Sequence, residues 1–177
     1  MTHFGRLLIV VIAAVLVFSC SKKEEKATAD VEKKTTADAE KKTPTKVSSS
    51  SAKTGWLTSY EQAQQEAKAG RKLILMDFTG SDWCGWCILL DKEVFSKPEF
   101  QEYARKNLVL LELDFPRMKP MSAENQEQNE RLARQYQIQG FPTIVVLDSG
   151  GKQVGELGYV PGGPAAFIAE LEKVPKG

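Results

Sequence analysis

The chain has 177 residues, of which 42% are hydrophobic, and a formal net charge of +1, so it can form one globular domain with additional segments. No concentrated basic face is evident, so we predict no nucleic-acid binding. The single histidine, His3, lies in a segment that we expect to be removed, which excludes histidine-based acid–base catalysis and histidine-ligated metals. With only three cysteines in the whole chain, a four-ligand zinc site is not indicated, and we predict no metal and no cofactor.

Residues 1–20 have the pattern of an export signal. Arg6 precedes a 12-residue apolar stretch, residues 7–18, which is shorter than the roughly 20 residues that a membrane-spanning helix needs. The stretch ends at Ser19-Cys20, which resembles a bacterial lipobox, and this resemblance implies that Cys20 is lipidated and becomes the N-terminus. Alternatively, residues 1–20 are an uncleaved anchor, or an ordinary signal peptide in which the cysteine occurs by chance. We therefore expect a lipid-anchored protein of the bacterial cell envelope that faces the periplasm, where disulfides persist.

Residues 21–54 are a low-complexity segment with nine lysines and six acidic residues. The segment lacks aromatic residues and has almost no large aliphatic ones, so it cannot bury enough surface to offset its chain entropy. We predict a flexible linker that holds the domain away from the membrane, although plain filler has the same composition. The folded domain is predicted to comprise residues 55–177.

The domain is predicted to begin with a helix and a buried strand. Thr58 and Glu61 have the spacing of a capping box, and the helix should end at Gly70. The apolar run 73–78 predicts a strand, in which Asp77 is unusual because a buried carboxylate costs several kcal/mol unless it is paired or protonated. Asp77 is therefore a candidate functional residue, or alternatively a strand-end residue that caps the next loop.

Two cysteines follow this strand, in the sequence Trp83-Cys84-Gly85-Trp86-Cys87. Residues 88–94 read as a helix, so both cysteines are predicted at its first turn. A helix N-terminus carries partial positive charge and free N–H groups, which stabilise a thiolate. The two-residue spacing lets one sulfur reach the other, so the pair can cycle between dithiol and disulfide.

The rest of the chain alternates between helical and strand patterns. A proline precedes one strand, in Gly140-Phe141-Pro142-Thr143, where it marks either a sheet edge or a cis bond that shapes a site. A turn at residues 148–152 indicates that the last two strands form a hairpin. The predicted elements are helix 96–104, strand 108–114, helix 122–137, strands 144–147 and 153–157, and helix 164–173.

Over residues 56–174 the sequence resembles the thioredoxin superfamily. Three features occur in that family's order: a strand ending in Asp77-Phe78, Trp-Cys-Gly-x-Cys at a helix start, and Gly-x-Pro-Thr before a hairpin. The resemblance implies an α/β thioredoxin fold with a central mixed sheet flanked by helices, and the composition of residues 21–54 predicts a disordered tether before it. The amino-acid sequence around the cysteines also resembles that of exported bacterial thioredoxin-like proteins.

The resemblance also implies roles for individual residues. Cys84 would attack a substrate disulfide, Cys87 would resolve the mixed disulfide, and Asp77 would manage the proton of the resolving cysteine. Pro142 would be a cis-proline packed against the cysteines, and Phe141 would offer its backbone to a substrate peptide. The residues predicted to contact substrate are Trp83, Gly85, Trp86, Phe141 and Pro142.

Three departures from the family pattern affect these expectations. The loop 79–82 is one residue longer than in thioredoxin, and residues 115–125 look like an insertion. Trp86 stands where thioredoxin has proline and disulfide isomerases have histidine. Because Trp86 brings no charge to stabilise a thiolate, we expect a reducing couple: a protein-disulfide reductase that needs an upstream thiol electron donor.

Three other functions fit parts of the sequence. The cysteines could form a static disulfide in a non-catalytic module that binds peptides, or the anchor and linker could make a structural envelope lipoprotein, which would not need two thiols at a helix start. Two thiolates can also hold Cu(I), but Met118 and Met121 do not form the methionine cluster expected of a copper chaperone. The predicted partners are protein disulfides, a thiol electron donor and the membrane.

Overall fold

The computed structural model describes residues 53–175. The predicted signal peptide, Cys20 and most of the predicted linker lie outside these residues. The described elements, in chain order, are β1 (Trp56–Leu57), α1 (Tyr60–Gly70), β2 (Leu73–Thr79), α2 (Gly85–Leu90) with a π-helical turn (Asp91–Phe95), α3 (Pro98–Asn107), β3 (Leu108–Asp114), α4 (Ala123–Gln135), β4 (Thr143–Leu147), β5 (Gln153–Leu157) and α5 (Gly163–Leu171).

The strands form one five-stranded mixed sheet in the order β1-β3-β2-β4-β5. β1, β3 and β2 run parallel, whereas β4 is antiparallel to β2 and to β5. Every residue of β2 is buried, because helices cover both faces of the sheet, and this explains its nearly continuous apolar sequence. The predicted mixed sheet with flanking helices is confirmed.

Alternate residues of β2 belong to two separate cores. Leu75 packs with Leu90 and Phe95 on the face covered by α2, α3 and α5. Met76 and Phe78 pack on the opposite face, which α1 and α4 cover. Asp77 shares the face of Leu75, so its carboxyl group lies under the helix that begins at the cysteines.

The start of α1 differs from the predicted capping box. The N-cap is Ser59 rather than Thr58, and the Ser59 hydroxyl accepts a hydrogen bond from the Gln62 N–H at 3.3 Å. Ser59 takes this place because it is the last residue with extended backbone before the helix. The helix then continues through Gly70 to a left-handed cap at Arg71, which has a φ of 51°.

The strand β1 was not predicted. Its two residues pair in parallel with Leu110 and Leu111 of β3, which lie more than fifty positions further along the chain. A strand of two residues has too little periodicity to be recognised from sequence, and only this pairing defines it. Within residues 53–175, none of the helices has the length and apolarity required to cross a membrane.

Candidate active site

Cys84 and Cys87 form a disulfide where the loop after β2 enters α2, with their Cα atoms 5.3 Å apart. Cys84 is the N-cap of α2, and its sulfur accepts a hydrogen bond from the Cys87 N–H at 3.3 Å. Both residues are largely buried: Cys84 is 7% exposed and Cys87 is 4% exposed. The pair is therefore placed as predicted, at the start of a helix, with Cys84 only slightly more accessible than its partner.

Trp86 and Tyr159 form an aromatic surface on one side of the disulfide. The Trp86 side chain is 61% exposed, and its ring centroid lies 5.3 Å from that of Tyr159. The Tyr159 hydroxyl donates a hydrogen bond to the Glu93 carboxylate at 2.5 Å, which raises the pKa of Tyr159 and fixes its ring. Gly85, between the cysteines, is exposed and leaves the approach to the disulfide open.

Trp83, which directly precedes Cys84, forms a second aromatic surface with Phe141. The Trp83 ring meets the edge of Phe141 at a centroid distance of 5.9 Å, and Phe141 stacks on Phe115 at 5.1 Å. The Phe141-Pro142 peptide bond is cis. The sheet-edge alternative for Pro142 is wrong, because β4 lies between β2 and β5. The predicted substrate-contacting residues thus lie on elements that meet around the disulfide.

The longer loop and the insertion form one hydrogen-bonded unit. The Asp82 carboxylate accepts hydrogen bonds from three consecutive backbone N–H groups, those of Arg117 at 3.0 Å, Met118 at 2.8 Å and Lys119 at 3.0 Å. These hydrogen bonds hold the pKa of Asp82 below its ordinary value, and the bond from the Arg117 N–H has the largest effect. Asp114 likewise accepts from the backbone N–H and the hydroxyl of Ser81. The two departures from the family pattern are therefore structurally coupled.

Trp83 is held in one orientation by this unit. Its indole N–H donates to the Phe115 carbonyl at 2.8 Å, and the Arg117 guanidinium lies 3.7 Å from its ring centroid. Gly80 also lies against the ring, where an added Cβ would come within 2.6 Å of the indole. Glycine is therefore required at position 80, for reasons of space, as long as Trp83 keeps this position.

Asp77 belongs to a buried charge cluster. It is 2% exposed, and its Oδ1 has no hydrogen-bond partner among the described residues. Lys53 Nζ lies 4.0 Å from Asp77 Oδ2, 3.0 Å from Glu112 and 2.9 Å from Asp91. Because β2 continues for two residues beyond Asp77 and the side chain is buried, the alternative of a strand-end cap is wrong.

Burial sets the protonation of this cluster. It raises the pKa of Asp77 to about 7, although the Lys53 ammonium acts in the opposite direction. Burial alone would lower the pKa of Lys53, but the neighbouring carboxylates, led by Asp77, outweigh it and raise that pKa to about 12. Near neutral pH, Asp77 can therefore either accept or release a proton while Lys53 stays charged.

Sequence reasoning missed three members of the cluster, Lys53, Asp91 and Glu112. Lys53 falls in the predicted linker, where nothing distinguishes it from the other lysines. The structure fixes it through the Trp56 N–H, which donates to its carbonyl at 3.0 Å, and through the Trp56 ring, 5.1 Å from Nζ. Glu112 carried the same signal as Asp77, an acidic residue inside an apolar strand, and could have been found by it.

A cavity of about 650 Å³ opens beside the cluster. Its lining includes Lys53 and Glu112, together with Asp114, Lys119 and Asn129. Glu112 is directly opposite Asp77 in the parallel pairing of β2 and β3. The cavity therefore brings solvent to the two residues that neighbour the buried acid.

Comparison with known proteins agrees with this geometry. Residues 60–175 match the family model described as a thioredoxin-like domain. The chain is 37% identical over 118 residues to the disulfide bond reductase DsbH of Chlamydia pneumoniae, covering 67% of this chain and 71% of DsbH. It is 28% identical over 103 residues to the thioredoxin-related protein DsbJ of the same organism, covering 58% of this chain but only 30% of DsbJ.

Among solved structures, the DsbH oxidoreductase superposes with a TM-score of 0.63 and 37% identity, covering 65% of this chain and 80% of that one. The family match covers residues 60–175, and the superposition with the DsbH oxidoreductase extends over 65% of this chain. The fold predicted from the cysteine motif is thereby confirmed. The chain belongs to the thioredoxin-like family of the thioredoxin superfamily.

Proposed function

We propose that this protein, a thiol–disulfide oxidoreductase, reduces disulfides of substrate proteins through Cys84 and Cys87. The observation that carries the proposal is the disulfide itself, which lies at the start of α2 and whose neighbours in the chain, Trp83 and Trp86, each belong to an aromatic pair. A pair of sulfurs at a helix start beside exposed aromatic residues can reach the disulfide of another protein. The similarity to a protein named disulfide bond reductase supports the same reaction.

The reaction proceeds by two exchange steps. The Cys84 thiolate attacks one sulfur of the substrate disulfide, forming a mixed disulfide and releasing the other substrate sulfur as a thiolate. Cys87 then loses its proton and attacks the Cys84 sulfur, which releases the second substrate thiolate and leaves the Cys84–Cys87 disulfide. Two electrons have moved to the substrate, and an upstream thiol donor must return two electrons to the protein.

Asp77 is proposed as the acceptor of the Cys87 proton. Its pKa of about 7 lets it exist in either form at the pH of the reaction, and it lies on the face of β2 covered by the cysteine helix. The substrate peptide would run along the backbone of Phe141 beside Pro142. Trp83, Gly85 and Trp86 would form its contact surface around the sulfurs.

The reducing direction rests on Trp86. A positively charged residue or a histidine between the cysteines stabilises the thiolate and makes the couple more oxidising, whereas Trp86 carries no charge. Equilibration of the protein with glutathione redox buffers, followed by separation of the two forms, would give the reduction potential. A value near −120 mV, as in strong periplasmic oxidants, would overturn the proposed direction.

The cellular location is a proposal that rests on the N-terminal sequence. In this proposal, residues 1–20 direct export, Cys20 carries the lipid, residues 21–54 are the linker, whose end packs on the domain through Lys53, and residues 55–177 are the domain in the periplasm. Metabolic labelling with a radioactive fatty acid tests it directly. Wild-type protein should be labelled, whereas Cys20→Ser should not, and labelling of both would contradict lipidation at Cys20.

Insulin reduction distinguishes the reductase from a non-catalytic module that binds peptides. Wild-type protein should precipitate the insulin B chain in the presence of dithiothreitol, and Cys84→Ser should return the rate to that of dithiothreitol alone. Equal rates for both proteins would remove the catalytic proposal. Cys87→Ser should trap substrates as mixed disulfides with Cys84, and the variant with both substitutions is the control for non-specific capture.

A further inference from the structure

Residues 115–119, hereafter the basic arm, form a preorganised segment beside the disulfide. Three consecutive N–H groups of the arm donate to the single carboxylate of Asp82, and the Phe115 carbonyl accepts from the Trp83 indole. A surface loop with this many bonds to the segment before Cys84 has already lost much of its conformational freedom. Binding a ligand to it therefore costs little further ordering.

The arm presents positive charge to solvent. Arg117 and Lys119 are both exposed, and no carboxylate of residues 53–175 lies within ion-pair distance of the Arg117 guanidinium. The nearby carboxylates are already engaged, Asp82 with the arm's own N–H groups and Asp114 with Ser81. The Arg117 guanidinium is therefore available to a partner, whereas Lys119 Nζ donates to the Ser81 hydroxyl at 3.2 Å and lies near the Asp82 charge.

The position of Arg117 connects this charge to the reacting sulfur. Its guanidinium stacks on the ring of Trp83, the residue immediately before Cys84, and the same ring makes an edge contact with Phe141. A guanidinium stacked on an aromatic face keeps its N–H edge free for a carboxylate. A peptide that lies along Phe141 and reaches Cys84 would therefore pass within reach of Arg117.

We infer that the basic arm makes the protein select substrate disulfides whose cysteine is flanked by aspartate or glutamate. The inference rests on the proposed reductase function and names the substrate class for the same site. Charge complementarity at an exposed site acts mainly on the rate of productive encounter and is screened by salt. The preference should therefore appear in the second-order rate constant and diminish at high ionic strength.

The test uses the pre-reduced protein in single-turnover reactions with three short peptides, each closed by one disulfide. The residues flanking one cysteine are Asp-Glu, Ser-Asn or Lys-Arg, and the rest of the peptide is constant. Wild-type protein should reduce the acidic peptide about tenfold faster than the basic one at 50 mM salt, with the ratio falling towards one at about 500 mM. The neutral peptide should lie between them.

Variants locate the preference in the arm. Arg117→Glu should reverse the ratio of acidic to basic rates, and Arg117→Gln should bring it close to one. Lys68→Glu is the control. It changes the net charge by the same amount as Arg117→Glu, but on the exposed surface of α1, and it should leave the ratio at its wild-type value.

The outcomes separate this inference from the reductase proposal. If wild-type protein reduces all three peptides at equal rates, or if Lys68→Glu alters the ratio as much as Arg117→Glu does, the selectivity of the arm is refuted while the reductase stands. If wild-type protein reduces none of the peptides, the proposed function is refuted, and the inference with it.

Discussion

Lys53 places its ammonium group 3.0 Å from the Glu112 carboxylate, at the point where Glu112 and Asp77 lie side by side on parallel strands. Two acidic residues directly opposite each other in a sheet repel when both are ionised. Lys53 compensates this repulsion from a position before the first strand, and it also contacts Asp91 at 2.9 Å. The electrostatics under the cysteine helix therefore depend on a residue outside the sheet.

Replacing Lys53 with methionine should destabilise the protein strongly at pH 8. Methionine keeps most of the apolar stem but leaves Glu112 and Asp77 buried without their cation. The expected loss is about 3 kcal/mol, at the low end for a broken buried pair, because the lysine side chain is 29% exposed. Urea denaturation of the disulfide form measures it, and the loss should be smaller at pH 5, where Asp77 is protonated.

Lys106→Met is the matched control for this experiment. Lys106 pairs with Glu102 one helical turn away, but both side chains are more than 60% exposed. An exposed pair of this kind contributes about 0.5 kcal/mol or less. Equal losses for the two variants would show that the buried cluster contributes no more than a surface ion pair.

Asp77→Asn should stabilise the disulfide form at pH 8. The folded-state pKa of about 7 lies above the ordinary value of 3.8, so the folded protein binds more protons than the unfolded chain between these values. The contribution of Asp77 to the free energy of unfolding must therefore fall as pH rises from about 4 to about 7. Asparagine does not titrate, so the variant lacks this loss. Its free energy of unfolding should exceed that of the wild type by about 2–4 kcal/mol at pH 8 but by little at pH 4.

Urea unfolding at several pH values checks the sign as well as the size of this effect. Asp82→Asn is the informative comparison, because hydrogen bonds lower the pKa of Asp82 and its contribution should run in the opposite direction. An unfolding free energy with the same pH dependence in wild type and Asp77→Asn would contradict a raised pKa at Asp77.

Gly80→Ala should disturb the position of Trp83. The new methyl group would lie 2.6 Å from the indole, so either the ring or the loop must move. The expected cost is about 1–3 kcal/mol, as for other substitutions that overpack a fixed site. Gly140→Ala is the control, since nothing lies within 4 Å of its added Cβ. The free energy of unfolding and the indole fluorescence should change in Gly80→Ala but not in Gly140→Ala. If neither quantity changes in Gly80→Ala, Trp83 is not held as described.

Trp86→His should make the couple more oxidising. A protonated imidazole between the cysteines would stabilise the Cys84 thiolate, and with it the dithiol form, by roughly 1.4–3 kcal/mol, which corresponds to about 30–60 mV. Trp86→Phe keeps an uncharged aromatic ring and should move the potential much less. A potential that responds equally to both replacements would show that packing of the ring, rather than charge, sets it.

The order of strands and helices could be predicted because local patterns carry it. Apolar runs marked β2 and β3, and Pro98 marked the first turn of α3. The exact start of α1 could not be predicted, because Thr58 and Ser59 are both suitable N-cap residues. Which of them caps the helix depends on the backbone conformation, which is extended at Ser59. The strand β1 was missed because its evidence is a pairing partner, which no local pattern contains.

The difference between local sequence patterns and long-range contacts also explains which site residues were found from the sequence and which were missed. The cysteine pair, Pro142 and Asp77 belong to short motifs and could be found from the sequence. The bonds from Asp82 to the basic arm span 35 to 37 positions, and those of Lys53 to Glu112 span even more. Such contacts depend on how the sheet brings distant segments together, so the residues gave no sign of them individually.

Lys53 also changes what counts as the smallest useful form of the protein. A shortened chain that begins at the compositional boundary, residue 55, would keep both cysteines and every strand. It would nevertheless lack the cation that faces Asp77 and Glu112, and would behave as a charge variant of the natural domain. Redox and stability measurements made on such a fragment would then describe the truncation as much as the active site.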